Sequence, residues 1–322
     1  MSSFKFEPVL TPSSLIVVTG ASGYIAAHVA DQALAAGYRV RGTVRDPAKN
    51  KSMLGLFDQK YGSGKFQLVK VEDIVSDGMF DEAMKGASAF IHVASDVNVV
   101  PEPSPYIPNA VKSALSALKS AAKEPLMKRF VLTCSSMGCV PWKAGAWEGP
   151  FDMPNMWKVY AAAKVESEKA AWKWMQDNKP SFEFNTVQPA ANFGKTIAGG
   201  WQSTGAWPKL AAEGDFLLIQ YIPPQHFIDV VDCAKLHLGA AVHPEVKAER
   251  VFGFAEPYNW SQVLEILKSA YPEKKFADEL PRSGKDLSHP PKERSEWLLK
   301  EMGQGGGYTG LKDSLKTAFA DY

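Results

Sequence analysis

Up to Pro189, short continuous apolar runs alternate with longer stretches that repeat apolar residues at helical spacing. Leu15-Ile16-Val17-Val18 has the pattern of a buried strand. Ile25 to Ala36 follows as a helix, closed by Gly37. Tyr38 to Val44 predicts a second strand, Phe66 to Val69 a third, Phe80 to Met84 a short helix and Ala89 to Ala94 a fourth strand. Ile107 to Lys123 and Val159 to Asn178 predict long helices on either side of a strand at Arg129 to Thr133; Phe182 to Val187 is a sixth strand. This rhythm predicts an α/β fold, a doubly wound parallel sheet of Rossmann type with right-handed crossovers. Beyond Pro189 the rhythm breaks. His226 to Val230 predicts a strand that returns to the sheet, followed by a helix from Asp232 to Val242. A helix at Trp260 to Ala270, a Pro/Lys/Ser-rich stretch from Pro272 to Arg294 and two short terminal helices complete the chain. The expected division is a domain over 1–188, with 225–245 returning to it, and a smaller C-terminal substrate-binding lobe over 189–322.

Composition narrows the partners. With 322 residues, 45% of them hydrophobic, the chain can bury a large core. A net charge of +1 gives no electrostatic case for nucleic acid or an anionic membrane. No run is long and apolar enough to span a bilayer, and Met1 to Thr11 lacks the basic-then-apolar order of a secretory leader. Three sparse cysteines, Cys134, Cys139 and Cys233, form no disulfide framework and suit a reducing compartment, so a cytoplasmic location is expected. The six histidines show no metal-ligand spacing; His28 and His92 are expected to be structural, and His226 to lie near a pocket edge.

Thr19-Gly20-Ala21-Ser22-Gly23-Tyr24-Ile25-Ala26 stands between the first strand and the first helix. Glycines there permit a tight turn and let backbone N–H groups approach a pyrophosphate at a helix N-terminus. The spacing is G-x-x-G-x-x-A, not the standard G-x-G-x-x-G, and an ordinary strand–helix turn would also carry such glycines. NAD sites place an acid at the end of the second strand; this chain has Arg41-Gly42-Thr43-Val44-Arg45 and then Lys49. Cations there suit a ribose 2′-phosphate, with Arg45 the better candidate because its guanidinium both stacks and pairs; a merely solvated basic strand end is the alternative. After the third strand, Glu72-Asp73-Ile74 offers a carboxylate for an adenine amino group. Gly194-Lys195-Thr196 resembles the tail of a P-loop, but Pro189 occupies the position of the required first glycine.

Tyr160-Ala161-Ala162-Ala163-Lys164 sets a phenol and an ammonium one helical turn apart on one face. An ammonium favours phenolate, which makes such a phenol a tunable proton donor; alone, the pair would also fit a helix surface. Thr133-Cys134-Ser135-Ser136 ends the fifth strand, where hydroxyls of a parallel sheet border the ligand crevice. With Arg129-Phe130-Val131-Leu132-Thr133, Ala170-Ala171-Trp172-Lys173-Trp174 and Asp229-Val230-Val231-Asp232, these segments as a set resemble an extended short-chain dehydrogenase/reductase. The similarity is closest to fungal NADPH-dependent carbonyl (aldehyde) reductases and extends to plant dihydroflavonol reductases.

The resemblance implies NADPH-dependent reduction of a ketone or aldehyde by a triad of Ser135, Tyr160 and Lys164. In that family Tyr160 would donate the proton, Lys164 would bind the nicotinamide ribose and lower the tyrosine pKa, and Ser135, rather than Ser136, would polarise the carbonyl. It also implies that Pro189 lies near the nicotinamide and Ala94 near the cofactor. Two departures stand out. Cys134 occupies the first of two usual serine positions, and the segment from Ser136 to Tyr160, with Trp142, Trp147, Phe151 and Trp157, is shorter than in the closest relatives. The relatives' substrate range therefore does not carry over. If these tryptophans, Trp201, Trp207 and Phe227 line one cleft, they favour an aromatic or bulky ligand. Two rival readings stay open: an epimerase, dehydratase or cyclase on the same scaffold, and a non-enzymatic NADP sensor. The oligomeric state also stays open.

Overall fold

The computed structural model describes residues 4–96, 100–139, 154–198, 200–278 and 284–322. In chain order, the first half runs β1 (Leu15–Thr19), α1 (Tyr24–Ala35), β2 (Arg39–Val44), α2 (Lys51–Tyr61), β3 (Phe66–Lys70), α3 (Asp81–Met84), β4 (Ala87–His92), α4 (Tyr106–Ala121), β5 (Arg129–Thr133), α5 (Asn155–Asn178) and β6 (Glu183–Pro189). The second half runs β7 (Ala191–Phe193), α6 (Trp207–Glu213), α7 (Phe216–Ile219), β8 (Gln225–Asp229), α8 (Val230–Val242), β9 (Arg250–Gly253), β10 (Glu256–Tyr258), α9 (Trp260–Ala270), α10 (Glu293–Glu301) and α11 (Leu311–Phe319). Seven strands form one sheet in the order β3-β2-β1-β4-β5-β6-β9, and each neighbouring pair is parallel. The strand order reverses between β1 and β4, which opens a crevice at the C-terminal ends of those strands. The fold is thus the doubly wound parallel sheet expected from the pattern.

Burial explains the continuous apolar runs. All five residues of β1 and all five of β5 are buried, as strands covered on both faces must be. One face packs under α1 and α8, the other under α4 and α5. Gly42 is where β2 meets the first turn: a Cβ there would sit 2.5 Å from the Ala21 Cβ and 3.1 Å from the Phe66 ring. Only hydrogen fits in that gap.

The strand expected to return at His226 to Val230 does not join this sheet. It is β8, which pairs parallel with β7 and antiparallel with β10 in a separate three-stranded sheet. The free edge of β6 is taken instead by β9, with Thr186 opposite Arg250 and Pro189 opposite Gly253. The helix after β8 does return to the large sheet, since α8 packs on α1 and over β5 and β6. A second core gathers Phe193, Phe227, Tyr258, Trp260 and Phe319 around the small sheet. Residues after Pro189 therefore divide between two cores. The helix α2 was not anticipated.

Replacing Gly42 with alanine should overpack this junction and destabilise the protein by about 1–3 kcal/mol. Urea unfolding of Gly42→Ala, read as a lower midpoint at unchanged slope, checks it.

Candidate active site

Gly20 adopts φ +64°, a conformation that favours glycine, and a Cβ on it would lie 3.2 Å from the Ala94 Cβ. A Cβ on Gly23 would lie 3.1 Å from the Gly20 carbonyl. Gly23 is the N-cap of α1, and no side chain caps that end. The N–H groups of its first turn lack intrahelical acceptors and face the crevice with the positive end of the helix dipole. A side-chain-free cradle at an uncapped N-terminus fits a pyrophosphate. The cradle opens into a cleft of about 880 Å³, bordered by Gly20, Ser22, Gly23, Tyr24 and Ile25 on one side and Ala94 and Ser95 on another.

The far wall is the end of β2. Arg45 and Lys49 line the cleft, are exposed, and have no ion-pair partner among the described residues. Arg41 is committed elsewhere, donating from Nη1 to the carbonyls of Ala83 (2.8 Å) and Lys85 (2.9 Å) at the end of α3. Asp73 is not a lining residue. Its carboxylate turns back on its own loop, accepting from Val75 N at 2.7 Å and Ser76 Oγ at 2.5 Å. Its neighbours Glu72 and Ile74 line the cleft in its place.

The turns after β1 and β4 meet at one hydroxyl. Thr19 Oγ1 accepts from Val93 N at 3.0 Å and Ala94 N at 2.9 Å, and lies 3.0 Å from His92 Nδ1. Two acceptances leave that oxygen its proton to donate, so Nδ1 of His92 is bare and Nε2–H points to Ser113 Oγ at 3.2 Å. Full burial, reinforced by the nearby Lys164 charge, holds the imidazole down to about 3 and therefore neutral. His28 is also structural, donating from Nε2 to the Lys195 carbonyl at 2.8 Å.

Of the expected triad residues, Tyr160 and Lys164 lie together on α5 and Ser135 precedes a turn that rests on that helix; none of the three borders the cleft directly. Ser135 ends the β5 segment and caps the turn Ser136–Gly138, its Oγ accepting from Met137 N at 3.2 Å. That turn rests on α5: a Cβ on Gly138 would lie 3.6 Å from the Lys164 Cβ. Lys164 is buried, with Nζ 5.6 Å from the centre of the Tyr160 ring. The same Nζ donates to Ser95 Oγ at 3.1 Å, which ties the helix to the edge of the cleft. Ser95 was not foreseen from the sequence, although its place just after a parallel strand was a signal. Pro189, at the end of β6, does not line the cleft and lies against Gly253.

Aromatic side chains flank the tyrosine. Trp157 meets Tyr160 edge to face at 6.3 Å, and Trp207 meets Trp157 at 6.3 Å. Trp201 and Phe227 pack in the second core, against which Trp207 also rests. Trp142, Trp147 and Phe151 lie outside the described residues. His226 does not reach the cleft; its Nδ1 pairs with Asp286 Oδ2 at 2.9 Å, both side chains buried. Among the described residues no group of His, Cys, Asp or Glu is arranged to hold a metal ion, and no helix is long and apolar enough to cross a membrane.

A glycine cradle on a doubly wound sheet, beside a tyrosine–lysine pair, defines a dinucleotide-dependent enzyme fold. The chain belongs to the NAD dependent epimerase/dehydratase family, whose profile matches residues 16–253. It is 35% identical to aldehyde reductase 2 of Sporidiobolus salmonicolor over 96% of this chain and 96% of that protein. It is 36% identical to the ketoreductase adrE of Penicillium rubens over 97% of each. Its fold matches Gre2 of Candida albicans, determined in complex with NADPH, with a TM-score of 0.77 at 24% identity, covering 95% of this chain and 98% of that one.

Because the neutral His92 must take up a proton on unfolding at mildly acid pH, its stabilisation is complete above its unfolded pKa of ~6.5 and declines as pH falls toward about 3. His92→Asn should remove that dependence, flattening the slope of unfolding free energy by up to about 1.4 kcal/mol per pH unit. Urea unfolding of both proteins at a series of pH values between about 5 and 7 measures the difference; parallel slopes would contradict the assignment.

Proposed function

We propose that this protein reduces a ketone or aldehyde to an alcohol with NADPH, using Tyr160, Lys164 and Ser135. The observation that carries this reading is the buried Lys164 ammonium, placed over the Tyr160 ring and joined through Ser95 to the glycine-lined cleft. When bound, a reduced nicotinamide supplies the hydride. Tyr160 delivers the proton to the carbonyl oxygen, and the neighbouring ammonium stabilises the phenolate left behind. Ser135 Oγ, at the C-terminal end of the sheet, donates to the same oxygen as its charge grows. Lys164, with two N–H donors beside its bond to Ser95, would hold the ribose hydroxyls of the bound cofactor.

The preference for NADPH rests on charge. Asp46 follows Arg45 but does not border the cleft, and Glu72 borders it from the end of β3; the charged side chains that line the end of β2 are Arg45 and Lys49, exposed and without ion-pair partners among the described residues. Arg45 pairs with the 2′-phosphate as a planar fork, and Lys49 adds a point charge. Aldehyde reductase 2 and the adrE ketoreductase, both similar over nearly the whole chain, support carbonyl reduction as the chemistry. Trp157 and Trp207 beside Tyr160 favour a carbonyl compound with a bulky or aromatic substituent.

NADPH oxidation against a panel of aryl ketones, β-keto esters and aldehydes, with NADH in parallel, tests the reading. Tyr160→Phe should lower kcat by a factor of about 10²–10⁴ while NADPH still binds; full activity would overturn the mechanism. Arg45→Glu should weaken NADPH binding by roughly 10–100-fold and leave NADH little changed. Tight NADPH binding with no turnover on any carbonyl would favour an epimerase, dehydratase or cyclase reaction, or a sensor, instead.

A further inference from the structure

We infer that Ser95 is a positioning residue for the Lys164 ammonium, and that Tyr106 braces the backbone that presents it. This rests on the reading of Lys164 as the group that holds the nicotinamide ribose. A buried ammonium carries three donors and needs acceptors for them. In this structure Ser95 Oγ meets Nζ at 3.1 Å. The hydroxyl is oriented for the task, because its own proton is directed to the Asp96 carbonyl, 3.4 Å away, leaving the oxygen lone pairs toward the ammonium. The Asp96 carbonyl also accepts from Tyr106 Oη at 2.7 Å. Tyr106 opens α4 and packs with Val159, Ala163 and Tyr160 of α5. One carbonyl is therefore held by the serine that meets the lysine and by the phenol that packs on the tyrosine.

Among the described residues Ser95 takes one donor of the ammonium, and the other two suffice for a vicinal diol of ribose. Ser95 lines the cleft from the loop after β4, next to Ala94 against the glycine turn. It thus connects the loop that borders the cofactor cleft to the helix that carries the proton donor. A long, flexible lysine side chain without this contact would have several rotamers to choose from.

A double-mutant cycle on the full-length protein tests this, read as the NADPH dissociation constant from quenching of tryptophan fluorescence. Ser95→Ala should weaken NADPH binding by about tenfold, the scale of one hydrogen bond to a charged group. In a Lys164→Met background the same change should cost little more, because the partner is gone. Ser95→Thr should restore binding, and Tyr106→Phe should weaken it by a smaller factor. In turnover, Ser95→Ala should raise KM for NADPH more than it lowers kcat. An equal loss in both backgrounds, or no loss in either while Lys164→Met alone weakens binding, would overturn the role of Ser95. A Lys164→Met protein with wild-type NADPH binding and turnover would instead overturn the underlying reading of the lysine.

Discussion

The site depends on the hydroxyl of Thr19. Backbone N–H groups emerging from the end of a parallel strand must find acceptors, and those of Val93 and Ala94 find them on this one oxygen. The turn after β1 and the loop after β4 are thereby fixed to each other across the point where the strand order reverses. Gly20 and Ser95, on the two sides of the cleft, inherit this constraint. Gly20 must lack a side chain because Ala94 is held against it, and Ser95 comes within reach of Lys164 because it follows Ala94. His92 completes the arrangement only when neutral, since an imidazolium could not accept the Thr19 proton.

The second constraint is the helix α5. Tyr160, Lys164 and Glu168 recur at intervals of four and share one face. Glu168 is buried, yet its carboxylate accepts from Arg250 Nε at 2.7 Å, Arg250 Nη2 at 2.9 Å, Thr186 Oγ1 at 3.0 Å and Gln188 Nε2 at 2.8 Å. Arg250 is exposed although Glu168 is buried, so solvent screens the pair and its attraction adds little net stability. The contribution of this pair is register. It joins α5 to β6 and to β9, so the helix can neither slide nor rotate without breaking charged hydrogen bonds. The face that ends in Tyr160 is thus set from the strands behind it. Ser95 meets the same face at Lys164, one turn further toward the cleft.

The large sheet was legible because its strands are buried on both faces and read as continuous apolar runs, and because glycines mark the first turn. The helix Trp260–Ala270 was legible from end to end, since its apolar stripe is strong and Asn259 caps it with a bond to Gln262 N. The helix Lys51–Tyr61 was not, because it buries only Met53 and Phe57 and carries Gly55 in its interior. The strand at Gln225–Asp229 was visible as a strand, but alternation along one segment does not say which edge it will pair with; β7 and β10 claimed it. In the candidate site, the glycine turn and the Tyr160–Lys164 pair could be read from spacing and Arg45 from its charge at the end of a strand. The turn of the Asp73 carboxylate toward Ser76, and the contact between Ser95 and a lysine 69 positions away, depend on tertiary placement and leave no local pattern.

The string Gly194-Lys195-Thr196 shows how a misleading motif acquires a structural reason. Its carbonyls are not phosphate neighbours. The Tyr24 hydroxyl donates to the Gly194 carbonyl at 2.8 Å and His28 Nε2 to that of Lys195 at 2.8 Å, both from α1. Gly194 sits at φ +130°, and a Cβ there would lie 3.0 Å from an Asp229 carboxylate oxygen. That carboxyl, pushed up to about 6 by burial and by the neighbouring Asp232, also caps α8 through Val231 N at 2.8 Å. Gly205 closes the contact from the other side, where a Cβ would lie 2.7 Å from the Tyr24 ring. The segment leading into the smaller sheet is therefore clamped on the helix whose uncapped N-terminus borders the cleft. Tyr24 borders the cleft and holds that clamp, so one side chain serves both the cleft and the segment that leads out of β7.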